Sequence, residues 1–196
     1  MTTFIGQTGP DTFLGSTGDI DTVDYSASTD AVSIDLGTST AQIVSVSQDV
    51  DTFISIEAII GSQFGDVLIG GLGQAFFYGG SGNDSIFGGT SGGASYGSFG
   101  SDSFFGRSGA DMFFGGRDND VLIGSGGNDS LYAGYDNDTL FGAPAMTIFM
   151  AIWEMTFWLA AAATTRSEPA PAKTSSILAV QQRPFRLICV SLGHNS

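Results

Sequence analysis

Large apolar residues recur at every ninth position through the middle of the chain. Read in steps of nine from Gly61, the sequence gives GSQFGDVLI, GGLGQAFFY, GGSGNDSIF, GGTSGGASY, GSFGSDSFF, GRSGADMFF, GGRDNDVLI, GSGGNDSLY and AGYDNDTLF. Each unit ends in x-U-x, where U is large and apolar, and this alternation predicts a short strand with U pointing inward. The predicted core residues are Leu68, Phe77, Ile86, Phe104, Phe113, Leu122, Leu131 and Leu140, and Ser95 breaks the pattern.

The first half of each unit is rich in glycine and predicts a tight turn. The chain has 29 glycines, far above ordinary usage. Glycine permits φ > 0 and leaves the neighbouring carbonyl oxygens unobstructed. Turns that alternate with short strands at a fixed period of nine predict a parallel β-helix built from the repeat G-G-x-G-x-D-x-U-x.

The sixth position of the repeat forms two columns of side chains. In a roll of this kind one coil takes two nonapeptides, so every second unit stacks on the same edge, with strands about 4.8 Å apart. The second edge then reads Ala75, Gly93, Asp111 and Asp129. The first edge carries an unbroken column of Asp66, Asp84, Asp102, Asp120 and Asp138.

These columns predict calcium sites. Stacked carboxylates roughly 5 Å apart repel each other by about 1 kcal/mol per pair in water. A hard divalent cation that takes oxygen ligands from two carboxylates and nearby carbonyls turns this repulsion into a cross-link. We predict Ca²⁺ sites at 66/84, 84/102, 102/120 and 120/138 on the first edge, and at 111/129 on the second. The predicted glycine ligands are Gly79, Gly80, Gly82, Gly97, Gly100, Gly115 and Gly116.

The repeats resemble the RTX, or haemolysin-type, calcium-binding repeats of bacterial secreted proteins. The resemblance implies an all-β fold that is a right-handed parallel β-roll, with Ca²⁺ as its cofactor and a calcium-free state that is largely disordered. It also implies a secreted, extracellular protein that is exported by type I secretion machinery, which reads a C-terminal signal. The missing aspartates at Ala75 and Gly93 make calcium sites on that part of the second edge doubtful.

Residues 1–60 predict additional β coils with degenerate repeats. Gly6 to Leu14 (GQTGPDTFL) reads as another unit with Asp11 at the sixth position, and GSTGDIDTV follows with one extra residue. Between Asp24 and Ile60, the alternation in AVSIDL and IVSV predicts longer strands. No cleavable signal peptide is expected at the start, which lacks a basic n-region and an apolar h-region.

The character of the sequence changes near Gly142, where the predicted roll of residues 61–142 ends. Before this point the only basic residues are Arg107 and Arg117, whereas the tail of residues 143–196 holds four more and both tryptophans. Residues 143–163 are mostly apolar and long enough to resemble a membrane span. We expect no membrane span, because Glu154 near the centre would be costly there.

A shift of one nucleotide in the reading frame explains the sequence of the tail better than a membrane span does. Joining the last base of each codon to the first two of the next turns Met146-Thr147 and Met155-Thr156 into Asp, which continues the ninefold series from Asp138. The same operation turns Trp153-Glu154 into Gly. We therefore expect a non-native or disordered C-terminal tail that has no evolved function and has lost the export signal.

The net charge and the sequence motifs limit the classes of function that fit this chain. Six basic and twenty acidic residues give a net charge of -14, which opposes binding to nucleic acid and favours binding of cations. GTSGG around Ser91 fits the nucleophile-elbow pattern, but glycine-rich repeats produce it by chance and the only histidine is His194, in the tail. No zinc-protease, Walker or CxxC pattern occurs, so we expect a protein that is not an enzyme.

Alternative functions remain open beside a plain calcium-dependent module. One is a fragment of a larger secreted enzyme, such as a protease, lipase or polysaccharide epimerase, and another is an adhesin. Ninth-position aromatic residues form ladders that could bind a glycan or a protein, although we favour a role in cross-strand packing. They are Tyr78, Tyr96, Phe114 and Tyr132 on one outer face, and Phe87, Phe105 and Phe141 on the other.

Overall fold

The computed structural model describes residues 1–45, 49–142, 148–150, 157–160, 176–182 and 186–192, and every regular element in these ranges is a β-strand. The first seven strands are β1 Thr3–Ile5, β2 Thr12–Leu14, β3 Thr22–Asp24, β4 Ser33–Asp35, β5 Gln42–Ile43, β6 Val50–Ile54 and β7 Ala58–Ile60. The repeats contain β8 Val67–Ile69, β9 Ala75–Ser81, β10 Ser85–Phe87, β11 Gly93–Phe99, β12 Ser103–Phe105, β13 Asp111–Arg117, β14 Val121–Ile123, β15 Ser130–Gly134 and β16 Thr139–Gly142. The tail contains β17 Ile148–Met150, β18 Phe157–Ala160, β19 Ser176–Gln182 and β20 Arg186–Leu192.

Two parallel sheets stack along the repeats. One sheet has the strand order β1-β3-β7-β9-β11-β13-β15-β17, and the other contains β4-β8-β10-β12-β14-β16-β18. Leu68 pairs with Ile86 and Ile86 with Phe104, so each coil of the solenoid takes two nonapeptides. The predicted all-β fold with a parallel β-roll is confirmed.

The apolar U positions fill the space between the two sheets. All eight predicted core residues are fully buried, and the rings of Phe104 and Phe113 meet across the core with centroids 5.2 Å apart. Burying each such side chain contributes about 1.5–3 kcal/mol. Ser95 is buried as well, because its strand β11 keeps its place between β9 and β13. The fixed register therefore holds even where the U residue is polar.

The N-terminal coils and an insertion between β3 and β6 extend both sheets of the repeats and add a third sheet, β2-β6-β5. β1 pairs with β3 and β3 with β7, in parallel, while β2 pairs with β6. The chain between β3 and β6 forms β4, which pairs with β8, and β5, which runs antiparallel to β6. The insertion thus lies between the first coils and the repeats.

The prediction of longer strands in AVSIDL and IVSV is wrong. β4 and β5 have three and two residues, and the longest strand between Asp24 and Ile60 is β6, with five. The Asp35 carboxylate accepts the backbone N–H of Gly37 at 2.7 Å, a local turn that ends β4. Residue 46, the last of IVSV, lies outside the described residues.

In the described part of the tail, the backbone continues both parallel sheets before it turns antiparallel. β17 pairs with β15 and β18 with β16, in the same stacking order as in the repeats. β19 then pairs antiparallel with β18, and β20 with β19. No helix among the described residues is long and apolar enough to cross a membrane. Most of the apolar segment 143–163 lies outside them.

Stacked aromatic rings cover one outer face of the roll. The centroids of Tyr78 and Tyr96 are 4.9 Å apart, and those of Tyr96 and Phe114 and of Phe114 and Tyr132 are each 4.6 Å apart, with planes within 7° of parallel. This ladder agrees with the prediction. The ladder on the other face is shorter than predicted, because only Phe87 and Phe105 stack directly. There the strand β14 separates Phe105 from Phe141.

Candidate metal centre

The first edge of the roll brings its five predicted aspartates into one continuous column. Each aspartate lies immediately before a short strand and is about 1% exposed. The backbone N–H of each of the first four donates to Oδ1 of the aspartate in the next coil, over 2.8, 2.8, 2.8 and 2.9 Å. The ninefold spacing therefore translates into a ladder in which every carboxylate has one oxygen fixed by the coil before it. The column consists of Asp66, Asp84, Asp102, Asp120 and Asp138.

The other carboxylate oxygen of most of these residues is buried and has no hydrogen-bond partner. This holds for Oδ2 of Asp84, Asp102, Asp120 and Asp138. A buried ionised carboxylate without a partner costs several kcal/mol, so native proteins pair such groups or use them to bind a metal. The column therefore contains carboxylate oxygens that a bound cation would stabilise.

These oxygens face backbone carbonyls at the glycine that opens each unit. A Cβ on Gly97 would collide with Oδ2 of Asp102 and lie 2.7 Å from the carbonyl oxygen of Gly115, in the next coil. A Cβ on Gly79 would likewise collide with Oδ2 of Asp84 and lie 3.2 Å from the Gly97 carbonyl oxygen. Carboxylate and carbonyl oxygens thus converge where glycine leaves space, and both are ligands that Ca²⁺ prefers.

The predicted glycine ligands lie along the first edge, in the last residues of β9, β11 and β13 or directly after β9 and β11. Gly80, Gly82, Gly100 and Gly116 have φ of 113°, 107°, 115° and 124°. A side chain is strained in this region, which explains the choice of glycine. Gly79, Gly97 and Gly115 instead border the unpartnered carboxylate oxygens, and a Cβ on Gly115 would collide with Oδ2 of Asp120.

The second edge has a shorter column. The N–H of Asp111 donates to Oδ1 of Asp129 at 3.1 Å, and both residues are buried. Neither carboxylate oxygen of Asp111 has a partner, because the N–H of Gly93 in the preceding coil donates to the Ala110 carbonyl oxygen instead. Together with Ala75, Gly93 therefore ends the carboxylate column on this edge.

Burial makes the ladder carboxylates hard to ionise without a cation. Desolvation, reinforced by repulsion from neighbouring carboxylates and opposed by a backbone hydrogen bond in most of them, raises the pKa of Asp84 and Asp120 to about 8 and that of Asp102 and Asp111 to about 7. Burial also raises the pKa of Asp138 to about 6. A divalent cation would offset this penalty, because it favours the charged form.

The structure also places carboxylates that the predicted ligand set lacks. At the fourth repeat position, where most other units have glycine, Asp118 and Asp136 have φ of 74° and 78°. Oδ2 of Asp118 accepts the N–H of Gly100 at 3.2 Å, and Oδ2 of Asp136 accepts that of Asp118 at 3.0 Å. Both residues belong to a D-N-D triplet, which was a visible but unused sequence signal.

Side chains alone do not make a metal site in the described ranges. No group of three or more His, Cys, Asp or Glu residues there is arranged to hold an ion. A metal bound at either edge must therefore take part of its coordination from backbone carbonyl oxygens. The convergence at Gly79 and Gly97 supplies such oxygens.

Comparison with known proteins identifies the type of repeat in this chain. The family model of the RTX calcium-binding nonapeptide repeat, which spans four copies, matches residues 60–91, 95–122 and 114–144. The interval between the first two matches contains Gly93, which stands where other units have aspartate. A search of curated proteins finds no match to the chain. Residues 60–144 therefore contain RTX calcium-binding nonapeptide repeats, a repeat type that binds Ca²⁺.

Proposed function

We propose that this chain is a calcium-dependent folding module of a secreted protein. The observation that carries the proposal is the column of buried aspartates whose unpartnered Oδ2 atoms face turn carbonyls. Calcium ions would lie between successive coils at 84/102, 102/120 and 120/138, and at 111/129 on the second edge. The site at 66/84 would be the weakest, because Ser62 already donates hydrogen bonds to both oxygens of Asp66.

The energetic logic follows from burial and charge. Without calcium, folding must bury a row of carboxylates in a chain with a net charge of -14, and both effects favour the unfolded state. Calcium removes the penalty and links adjacent coils, so its binding free energy becomes folding free energy. Sites built from few carboxylates and many carbonyls suit dissociation constants of roughly 10⁻⁴ to 10⁻³ M, the range of extracellular calcium-binding modules.

The binding sites can be tested by calorimetric titration of the full chain with Ca²⁺. Asp102→Asn should lower the number of bound ions and raise the calcium concentration at half-saturation, because Asp102 has a ladder neighbour on each side. Asp19→Asn is the matched control, since Asp19 is exposed and pairs only with the N-terminal ammonium group. Equal titrations of the two variants would contradict the assignment of the ladder as the calcium site.

We infer secretion and a non-catalytic role from the family. Repeats of this type are typical of secreted proteins, and their β-roll is generally a structural module and not a catalytic one. Export by type I machinery belongs to the same proposal, whereas a fragment of a larger secreted protease, lipase or polysaccharide epimerase is an alternative to it. Sequencing the neighbouring coding region tests the second point, because a catalytic domain in frame with this chain would identify a parent enzyme.

An adhesin that binds glycan on its aromatic face is the weaker alternative. In the ladder of Tyr78, Tyr96, Phe114 and Tyr132, the rings stack face to face at 4.6–4.9 Å. Sugars stack on the faces of aromatic rings, and here neighbouring rings already cover the inner faces of the ladder. The geometry favours a packing role for these residues.

We propose the division into N-terminal coils (1–60), roll (61–142) and a tail (143–196) that is shifted coding sequence without evolved function. The proposal is supported by the change of composition at Gly142 and by the forced Asp and Gly codons in the ninefold register. Resequencing the coding DNA around codon 143 tests it. A single unbroken frame into an unrelated domain would contradict the shift.

A further inference from the structure

The buried carboxylates at the N-terminal end of the solenoid are hydrogen-bonded at both oxygens. Asp21 is fully buried, and its Oδ1 accepts the N–H of Thr2 at 2.5 Å. Its Oδ2 accepts the N–H of Ser16 at 2.5 Å and the Ser16 hydroxyl at 2.9 Å. The bonds from Ser16 lower the pKa of Asp21 to about 2, opposite to the shift in the ladder. This carboxylate is stable as an anion without any cation.

Two further buried aspartates have the same kind of environment. Oδ1 of Asp51 accepts the N–H of Asp11 at 2.9 Å, and its Oδ2 accepts the hydroxyl of Tyr25. Asp66, the first member of the ladder, accepts the N–H and the hydroxyl of Ser62 at 2.6 and 2.7 Å. The N–H of Val32 also donates to Asp66, at 2.8 Å. Protein donors thus bond both oxygens of each of these carboxylates, although burial still raises the pKa of Asp51 and Asp66, as it does in the ladder.

The boundary between the two kinds of carboxylate is sharp. Within the described residues, no buried side-chain nitrogen or oxygen before Asp84 lacks a hydrogen-bond partner. Asp66 and Asp84 are neighbours in the ladder, so the change occurs over a single coil. The unpartnered atoms belong to Asp84, Asp102, Asp111, Asp120, Asp129 and Asp138.

The N-terminal coils also have a cluster of four aromatic rings, which is larger than the Phe104–Phe113 pair in the core of the repeats. The ring of Phe13 lies 5.7 Å from Phe4, 5.6 Å from Phe53 and 6.4 Å from Tyr25, measured between centroids. Aromatic side chains bury 150–250 Å² each, roughly, and such pairs add favourable contacts beyond area. This cluster gives the N-terminal coils a packed core of their own.

We propose that residues 1–66 form a cap that folds without calcium and serves as the edge on which the calcium-bound coils assemble. The proposal rests on the calcium-dependent folding proposed above. In a solenoid each coil contacts only its neighbours, so the first coil to form has no partner and is the costly one. The cap removes this cost, because β4 and β7 present backbone groups that pair with β8 and β9. Calcium-driven folding therefore begins at the N-terminal end.

Hydrogen–deuterium exchange of the full chain, in excess chelator and in millimolar calcium, tests the cap. In chelator, peptides from residues 1–60 should exchange at least about 100-fold more slowly than an unstructured chain, while peptides from residues 84–142 exchange at the unstructured rate. In calcium both regions should be protected. Rapid exchange of residues 1–60 in chelator, with protection of both regions in calcium, would overturn the cap and leave calcium-dependent folding intact. Protection of residues 84–142 in chelator would instead overturn the calcium-dependent folding on which the cap rests.

Removal of a single hydroxyl group tests whether the bonded carboxylates stabilise the cap without calcium. Tyr25→Phe removes the donor to Oδ2 of Asp51 and leaves that buried oxygen without a partner, like those of the ladder. Protection of residues 1–60 in chelator should fall about tenfold or more. Tyr96→Phe, in the outer aromatic ladder, is the matched control and should leave protection unchanged. Equal protection of both variants would overturn the role assigned to the bonded carboxylates.

Discussion

At the scale of single residues, the molecule is organised by what each buried aspartate contacts. One oxygen of each ladder aspartate from Asp84 to Asp120 accepts a backbone N–H, and the other lies beside a glycine and has no partner. The same side chain at Asp21 or Asp51 has protein donors on both oxygens. The repeat position therefore sets where a carboxylate lies, and its local donors decide whether it needs a cation.

The raised pKa values predict that protonation of the ladder carboxylates partly replaces calcium in stabilising the roll. The pKa values of Asp84 and Asp120 are about 8 in the folded roll, against roughly 3.9 in an unfolded chain. The folded state then binds more protons than the unfolded state between about pH 4 and pH 8, so the stability of the metal-free roll falls as pH rises through this range. In chelator, the β signal in circular dichroism should be larger at pH 5.5 than at pH 8.5.

Asp102→Asn serves as the control for this pH effect. It removes one carboxyl group whose pKa burial raises to about 7, so the variant should depend less on pH than the natural chain. A metal-free chain whose β signal stays the same, or grows, from pH 5.5 to pH 8.5 would contradict the shifts.

The space beside the first glycine of a unit yields a second residue-scale prediction. Gly97→Ala places a methyl group against Oδ2 of Asp102 and the Gly115 carbonyl oxygen, where the account locates a calcium ion. We expect the loss of bound calcium in calorimetry, and a destabilisation of about 1–3 kcal/mol in urea unfolding with calcium present. Gly73→Ala is the matched control, because a Cβ there has nothing within 4 Å. Equal calcium binding by the two variants would show that the ion lies elsewhere.

At the scale of the elements, short strands are held by register and by ladders of like side chains. The strands from β8 to β16 are three to seven residues long, too short to be stable alone, and each gains its partners from the coils on either side. The outer aromatic ladder adds contacts of the same kind along the axis. Tyr96 is its clearest member, because it stacks on Tyr78 on one side and on Phe114 on the other.

Removing the ring of Tyr96 should therefore destabilise the roll more than removing an aromatic ring of a turn. Tyr96→Ala loses two stacked neighbours, and we expect a cost of about 1–3 kcal/mol in urea unfolding of the calcium-bound chain. Tyr135→Ala, which loses only a cation–π contact with Arg117 at 5.8 Å, should cost about 1 kcal/mol or less. The opposite ranking would mean that the ladder serves recognition and not stability.

At the scale of the whole molecule, the sequence predicts the roll well and the N-terminal coils poorly. A strict ninefold period fixes strand, turn and column at once, which is why the buried U residues and the order of Asp66 to Asp138 agree with expectation. The insertion that forms β4 and β5 has no period, and its turn depends on the Asp35 and Gln42 side chains. Asp51 was missed as a counterpart of Asp11, although both precede T-F and a large aliphatic residue.

The unpartnered oxygens could not be predicted from the pattern. Asp66 and Asp84 occupy the same repeat position, and only the Ser62 donors distinguish their surroundings. Ser62 lies in the same unit as Asp66, four residues before it, at a position where the repeat pattern itself specifies no such donor. We therefore propose that the whole molecule combines a cap that is complete in itself with a roll that needs calcium, a combination that the repeat pattern alone does not reveal.

The most direct measurement of the central claim is far-UV circular dichroism of the full chain in chelator, in magnesium and through a calcium titration. We expect a cooperative gain of β signal with calcium alone, starting from a partial signal of the N-terminal coils, because Mg²⁺ demands a stricter octahedral geometry and sheds its water reluctantly. A chain that shows its full β signal in chelator, or responds equally to both ions, would contradict the account.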